Sequence, residues 1–328
     1  MKRTILLLVI VQMVFVCNLE AKKWTVSNKS GVDADATTVQ GAHDLAAAGD
    51  TIYVEGSSVN YGNLNLTKKL YVFGPGYFLG ENPETQANIS PAYISTLDFS
   101  SGSDGSIVTG FHITNSVDIN ASNVTLKRNK IEGSYTVDIE SAQTNVLILQ
   151  NYISYGIYDL IYVSDGCSNI MIHNNYLEHN SSYNAIETYG TAVVDIVNNV
   201  IYGNMDVSNS SFTNNIYRTG TLTGSGNVYY NNLCNGSQFP SGNGNQLTVD
   251  MGTVFVGTGS SDGQWQLEAG SPALDAGLSG EDCGMYGGPD PYVLSGIPNI
   301  PSIYYFTAPT SASESTGLPV HVKVKSNK

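Results

Sequence analysis

The sequence predicts an all-β fold, a right-handed parallel β-helix with an N-terminal capping helix and a C-terminal β-hairpin-like tail. Three observations predict it. First, a nine-residue phrase returns six times between Asn123 and Cys234, at 123–131, 145–153, 169–177, 193–201, 209–217 and 226–234. Second, every copy carries an asparagine at one place, Asn129, Asn151, Asn175, Asn199, Asn215 and Asn232, with spacings of 22, 24, 24, 16 and 17 residues. Third, each phrase alternates apolar residues as a strand does, turns once and alternates again. An elastic period near twenty is the mark of a solenoid whose repeats bury their core only by stacking on neighbours. A β-sandwich with asparagine-rich turns is the rival, but sandwich strands do not share one internal phrase.

The inward positions are Val124, Leu126 and Ile131; Val146, Ile148 and Ile153; Ile170, Ile172 and Leu177; Val194, Ile196 and Ile201. The asparagine at the bend tolerates the left-handed backbone conformation, and its amide can bond to the same amide one coil away. Asn174, next to Asn175, is assigned outward, where its replacement should cost less.

Taken in order, Lys2 and Arg3 precede an apolar run at 5–16, and Leu19-Glu20-Ala21 ends in a small residue. This is the pattern of a secretory signal at 1–21, so the chain is expected to be secreted, periplasmic or on the outer cell surface. Cys17 follows Val16, where a lipid-attachment motif wants a small residue. No other stretch approaches the roughly 18 apolar residues of a membrane span.

Trp24-Thr25-Val26 reads as an edge strand. Thr37-x-x-Gln40 has capping-box spacing, Val39, Ala42 and Ala46 share one helical face, and Gly49 supplies the stop. Such a helix covers the open edge and apolar end of a solenoid. Residues 80–91 read as a loop, with Pro83 and Pro91 as breakers, and Phe111 stands where later coils have asparagine. Nine to eleven coils are expected. The polar, glycine-rich stretch 236–245 reads as a surface loop, and 254–256 and 265–267 as the last coils, so that the solenoid spans 22–288. The tail at 289–328 has strand-like runs at 303–306 and 320–324, expected to cover the C-terminal edge of the rod, with surface attachment as the rival reading.

Gly-Asp-Thr-Ile-Tyr-Val at 49–54, Tyr61, Leu64-x-Leu66-x-x-x-Leu70-x-Val72-x-Gly74-x-Gly76, and Gly110-Phe111-His112-Ile113 followed by the asparagine phrases resemble bacterial, secreted right-handed β-helix proteins of the pectate-lyase-like superfamily. Gly270-Ser271-Pro272-Ala273-Leu274-Asp275-Ala276-Gly277 and the glycines to Gly288 resemble the closing phrases of such proteins. The resemblance implies the fold more than an activity, because that superfamily contains lyases, hydrolases, epimerases and members without known catalysis.

The chain has 14 Lys+Arg against 28 Asp+Glu; without Lys2, Arg3 and Glu20 these become 12 and 27, a net charge of −15. That balance argues against nucleic acid, which needs clustered cations, and is compatible with calcium as a cofactor or with a neutral glycan. A monomer is expected. Cys167, Cys234 and Cys283 leave an odd thiol after signal removal and read as small buried residues.

In the longer coils, the stretches after the bend are rich in tyrosine and acid. Tyr135, Tyr155, Tyr158, Tyr162, Tyr183 and Tyr189, with His173, are the candidate substrate-binding residues, and Asp138, Asp159 and Glu187 the candidate catalytic carboxylates. Rings that stack on a sugar and acids that bond its hydroxyls suit an extracellular polysaccharide or cell-surface glycan, and paired carboxylates are what glycoside hydrolysis uses. Two functions follow, a noncatalytic glycan-binding or scaffold protein and, as the alternative, a polysaccharide lyase or glycoside hydrolase. Against lyase chemistry, only Arg128 and Arg218 remain after the signal, and neither lies in the acidic stretches.

Overall fold

The computed structural model describes residues 21–327, except 135, 312 and 314–316; the signal assigned to 1–21 therefore lies outside the described residues, save Ala21. The chain winds as a right-handed parallel β-helix. A first sheet of ten parallel strands runs in chain order from Lys23–Val26 to Val228–Tyr230, one strand per coil, within the nine to eleven coils expected. A second sheet of fourteen strands closes the coil. It divides into a near row after the asparagine bend (Lys130–Gly133, Tyr152–Gly156, Tyr176–Glu178, Val200–Tyr202, Ile216–Thr219 and Leu233–Cys234) and a far row (Val137–Ile139, Ile161–Val163, Asn184–Thr188, Asn204–Asp206 and Leu222–Thr223). The long strands Ala92–Phe99 and Phe111–Ile119 belong to both rows.

The inner column of the first sheet runs in register through Ile52, Val72, Val108, Leu126, Ile148, Ile172, Ile196 and Phe212, all fully buried. All twelve inward residues assigned from the sequence are buried. Each apolar side chain removed from water contributes about 1.5–3 kcal/mol.

The six bend asparagines are fully buried and form a ladder. Asn151 N–H donates to Asn175 Oδ1 at 2.8 Å, Asn175 N–H to Asn199 Oδ1 at 2.9 Å and Asn199 N–H to Asn215 Oδ1 at 2.9 Å. Asn245 ends the series by accepting from Asn232 N–H at 3.0 Å, and at the other end Phe111 N–H donates to Asn129 Oδ1 at 3.0 Å. The left-handed residue, however, is the one before each ladder asparagine: Arg128, Gln150, Asn174, Asn198, Asn214 and Asn231 have φ between 53° and 58°. The turn needs its tight residue just ahead of the amide that points inward, so four further asparagines in these positions, Asn174, Asn198, Asn214 and Asn231, have a backbone reason.

That left-handed column also corrects the outward assignment of Asn174. It is buried, and its Nδ2 donates to the carbonyls of Met285 and Gly287 at 3.1 and 2.8 Å. Its equivalents do the same along the rod. Asn231 donates to Ala276, Asn198 to Asp282, Gln150 to Asp290 and Pro291, and Arg128 to Ile297 and Asn299. Residues 276–299 thus form a strap running back along the bend toward the N-terminal coils. The runs 254–256 and 265–267 are not coils; a single antiparallel bridge, Phe255–Leu267, joins them. They pack outside the near row with Tyr152, Tyr176, Val200, Ile216 and Leu233 in a second apolar core, where Trp265 stacks on Tyr176 at 4.8 Å.

The helix spans Val39–Leu45 with Val39 and Ala42 fully buried. Thr38, not Thr37, caps it, accepting from Gly41 N–H at 3.0 Å; Gln40 instead accepts from Asn65 N–H at 2.8 Å on a nearby coil. At the other end the 236–245 loop is more than surface: Phe239 is buried against Phe212, Tyr217 and Tyr229 and plugs the core. The tail forms the expected hairpin, Ser302–Thr307 antiparallel to His321–Lys325. It does not cover the C-terminal edge, because the strap delivers it to the N-terminal coils, where Ala87 N–H donates to Ile303 C=O at 2.8 Å. Cys167, Cys234 and Cys283 are all free and buried.

Candidate functional site

The far row carries the chemistry. Strand register stacks its outward residues into one column, Asp98, Asp118, Asp138, Tyr162, Glu187 and Asp206, with neighbours about 4.8 Å apart. Far-row strands alternate an inward apolar residue with an outward acid, as in Val137-Asp138-Ile139, so stacking makes the acids a line.

Crowding and partial burial act on this line. Burial pushes the Asp98 carboxyl up to about 6, helped by its hydrogen bond to Asp118 and that neighbour's charge. Burial likewise raises Asp138 to about 6, with Glu140 and Asp118 adding repulsion, and Asp138 Oδ1 is buried without a hydrogen-bond partner. Glu187 is raised by burial against the pull of Asn184, whose Nδ2 donates to it at 2.7 Å; Asp159 and Asp206 add to the rise. Tyr162, between Asp138 and Glu187, is raised by desolvation and then by those two carboxylates.

A raised carboxylic acid stabilises the fold when protonated. That contribution is complete below the unfolded value near 3.9 and is lost as pH rises through about 6. The melting temperature is therefore expected to rise between pH 7 and pH 5, by roughly 1 kcal/mol in stability once solvent screening is allowed for. The rise should shrink in Asp98→Asn/Asp138→Asn; an unchanged slope would show that these two acids do not govern it.

Of the residues singled out from sequence, Asp138, Tyr162 and Glu187 stand in one column. Asp159 lies beside it, accepting from Asn184 N–H at 2.6 Å. Tyr158 and Tyr183 meet edge to face at 5.2 Å on the loops flanking it, and Tyr189 lies close enough to raise Tyr162. Tyr155 is 65% exposed in a left-handed conformation and has no place in the column. His173 is on the first sheet, 3.3 Å from Asp195, and belongs to a different face. Tyr135 lies outside the described residues.

Sequence reasoning missed Asp98, Asp118 and Asp206. The Val-Asp-Ile triplet at 117–119 matches that at 137–139 and could have found Asp118, but the same triplet at 194–196 lies on the first sheet. Among the described residues no group of three or more His, Cys, Asp or Glu side chains is arranged to hold a metal ion, and no helix is long and apolar enough to cross a membrane. Both described arginines are held on the strap side: Arg128 is buried with Gln150 and Ile297, and Arg218 lies 4.1 Å over Trp265 while donating to Tyr176 Oη at 3.1 Å. Searches with this chain find no matching protein-family model, no matching curated protein and no matching solved structure.

Proposed function

We propose that this is an exported β-helix whose far-row face binds a neutral extracellular polysaccharide or cell-surface glycan without transforming it. The observation that carries the reading is Tyr162 set between Asp138 and Glu187, with the Tyr158–Tyr183 pair at its side. Sugar C–H groups pack on rings while hydroxyls donate to carboxylates. The far-row strands from Val137–Ile139 to Asn204–Asp206 contain no lysine or arginine, so a polyanion would be repelled from them. The likeness of residues 49–76 and 110–113 to secreted pectate-lyase-like proteins supports export and an extracellular ligand, as does the signal pattern at 1–21.

A neutral-glycan array should give binding that Tyr162→Ala weakens about tenfold or more, the equivalent of about 1.4 kcal/mol, while His173→Ala leaves it unchanged. Binding that survives Tyr162→Ala would place the ligand elsewhere. Hydrolysis is the second reading, favoured by Asp98 held at about 6 beside Asp118, since glycoside hydrolases pair a raised carboxylic acid with a second carboxylate. New reducing ends that vanish in Asp118→Asn would establish it. Polygalacturonate with calcium should yield no unsaturated product, because lyase chemistry needs a cation at the substrate and both arginines are held on the strap side. Product that disappears in Arg218→Ala would overturn the noncatalytic reading.

A further inference from the structure

The C-terminal hairpin has two unlike faces. Ile303 pairs with Val324 and Phe306 with Val322, giving an apolar face that borders a cavity of about 710 Å³ against Tyr53 and Phe73. The opposite face carries His321, Lys323 and Lys325, which alternate along one strand. Lys323 lies 5.3 Å over Tyr305 and Lys325 5.7 Å over Tyr304. Neither hairpin strand contains an acid, in a chain of net charge −14. The far-row column is its inverse, a flat β surface with acids on adjacent strands and no cation in the strands that carry Asp138 through Asp206.

The two surfaces belong to different faces of the rod. The hairpin stands beside the outward side of the first sheet, at Tyr53 and Phe73, whereas the acidic column is on the second sheet. We infer that the hairpin's basic face docks on the acidic far row of a second copy of this chain. Charge complementarity selects this occupant over a hairpin-to-hairpin dimer, in which three basic side chains would face three. The contact joins two different patches, so it is heterologous and extends into open chains of molecules rather than closing on a pair. It shares its acidic surface with the proposed glycan site but does not require a glycan. Long lysine side chains reaching carboxylates on several strands make it sensitive to salt.

Sedimentation velocity on the chain from Lys22 onward tests this. In about 0.01 M salt, where charges act over roughly 30 Å, the average mass should be about twice the monomer's or more and should rise with concentration; in about 1 M salt, where they act over roughly 3 Å, it should fall to the monomer's. Lys323→Glu/Lys325→Glu, on an exposed element far from the far row, should be monomeric at both salts. Asp118→Asn/Asp206→Asn, which removes charge without adding bulk, should be monomeric as well, with a melting curve confirming that it folds. Mixing the two variants should restore a species of one-to-one composition, because each supplies the surface the other lacks. A wild-type chain that is monomeric in low salt, association that persists in 1 M salt, or a charge-reversed hairpin that still assembles would each overturn the proposal. So would a monomeric wild type that binds phosphatidylglycerol vesicles through the same lysines, since the partner would then be a lipid surface.

Discussion

Ile172→Asp unfolds the rod. Ile172 is fully buried and stands in register between Ile148 and Ile196. An aspartate there has no cation or donor in reach of its column, whose members are aliphatic above and below. An uncompensated buried charge costs about 3–5 kcal/mol, against a total stability on the order of 5–15 kcal/mol for a folded domain. Because each coil is stabilised mainly by its neighbours, the damage spreads beyond one level. Circular dichroism should lose its β signal, and size exclusion should show expanded or aggregated protein. A soluble Ile172→Asp variant that melts cooperatively near the wild-type temperature would mean that the inner column is misassigned.

Asn175→Leu is the second large effect, and its contrast with Asn174→Leu is informative. Asn175 donates from Nδ2 to Ile148 C=O at 2.9 Å and to Asn199 Oδ1 at 3.1 Å, and its Oδ1 accepts from Asn151 N–H and Nδ2. Leucine leaves the Asn151 and Ile148 backbone groups buried without partners, at about 1–3 kcal/mol for each unsatisfied group, so about 3 kcal/mol in total is expected from chemical denaturation. Asn174→Leu loses two bonds to the strap and forces leucine into φ 53°, which adds about 1–2 kcal/mol of backbone strain. The two should therefore differ in where the structure opens. Asn174→Leu should expose the strap at 282–290 to limited proteolysis while the coils stay protected; Asn175→Leu should weaken hydrogen-exchange protection in the coils. Identical cleavage of both variants in the strap would remove the distinction between the ladder and the outer column.

The coil interior was legible because its cause is local. Alternation with period two, repeated around one asparagine, assigns Val146, Ile148, Asn151 and Ile153 to the inside without knowledge of any neighbour, and the stacked structure places them there. The candidate site was half legible. Asp138 and Glu187 could be chosen as acids in long coils, but their alignment depends on how many residues each irregular insertion consumes, and that length decides which residue of a coil meets which in the next. The Val-Asp-Ile triplets illustrate the gap, since identical words sit on the second sheet at 137–139 and on the first at 194–196.

By itself, then, the sequence determined the repeat, the inward faces, the helix that closes one end and the existence of two pairing strands in the tail, because periodicity and capping act within a few residues. Only the tertiary structure decided where the chain after Cys234 goes. Residues 247–299 carry no repeat of their own. Their position is set by carbonyls that find donors on Asn231, Asn198, Asn174, Gln150 and Arg128, and by Trp265 finding Tyr176. Those partners lie up to 171 residues away, and no local pattern specifies which distant side chain will complete a carbonyl's hydrogen bond. The strap's course carries the basic hairpin to the first coils and leaves the acidic column open to solvent.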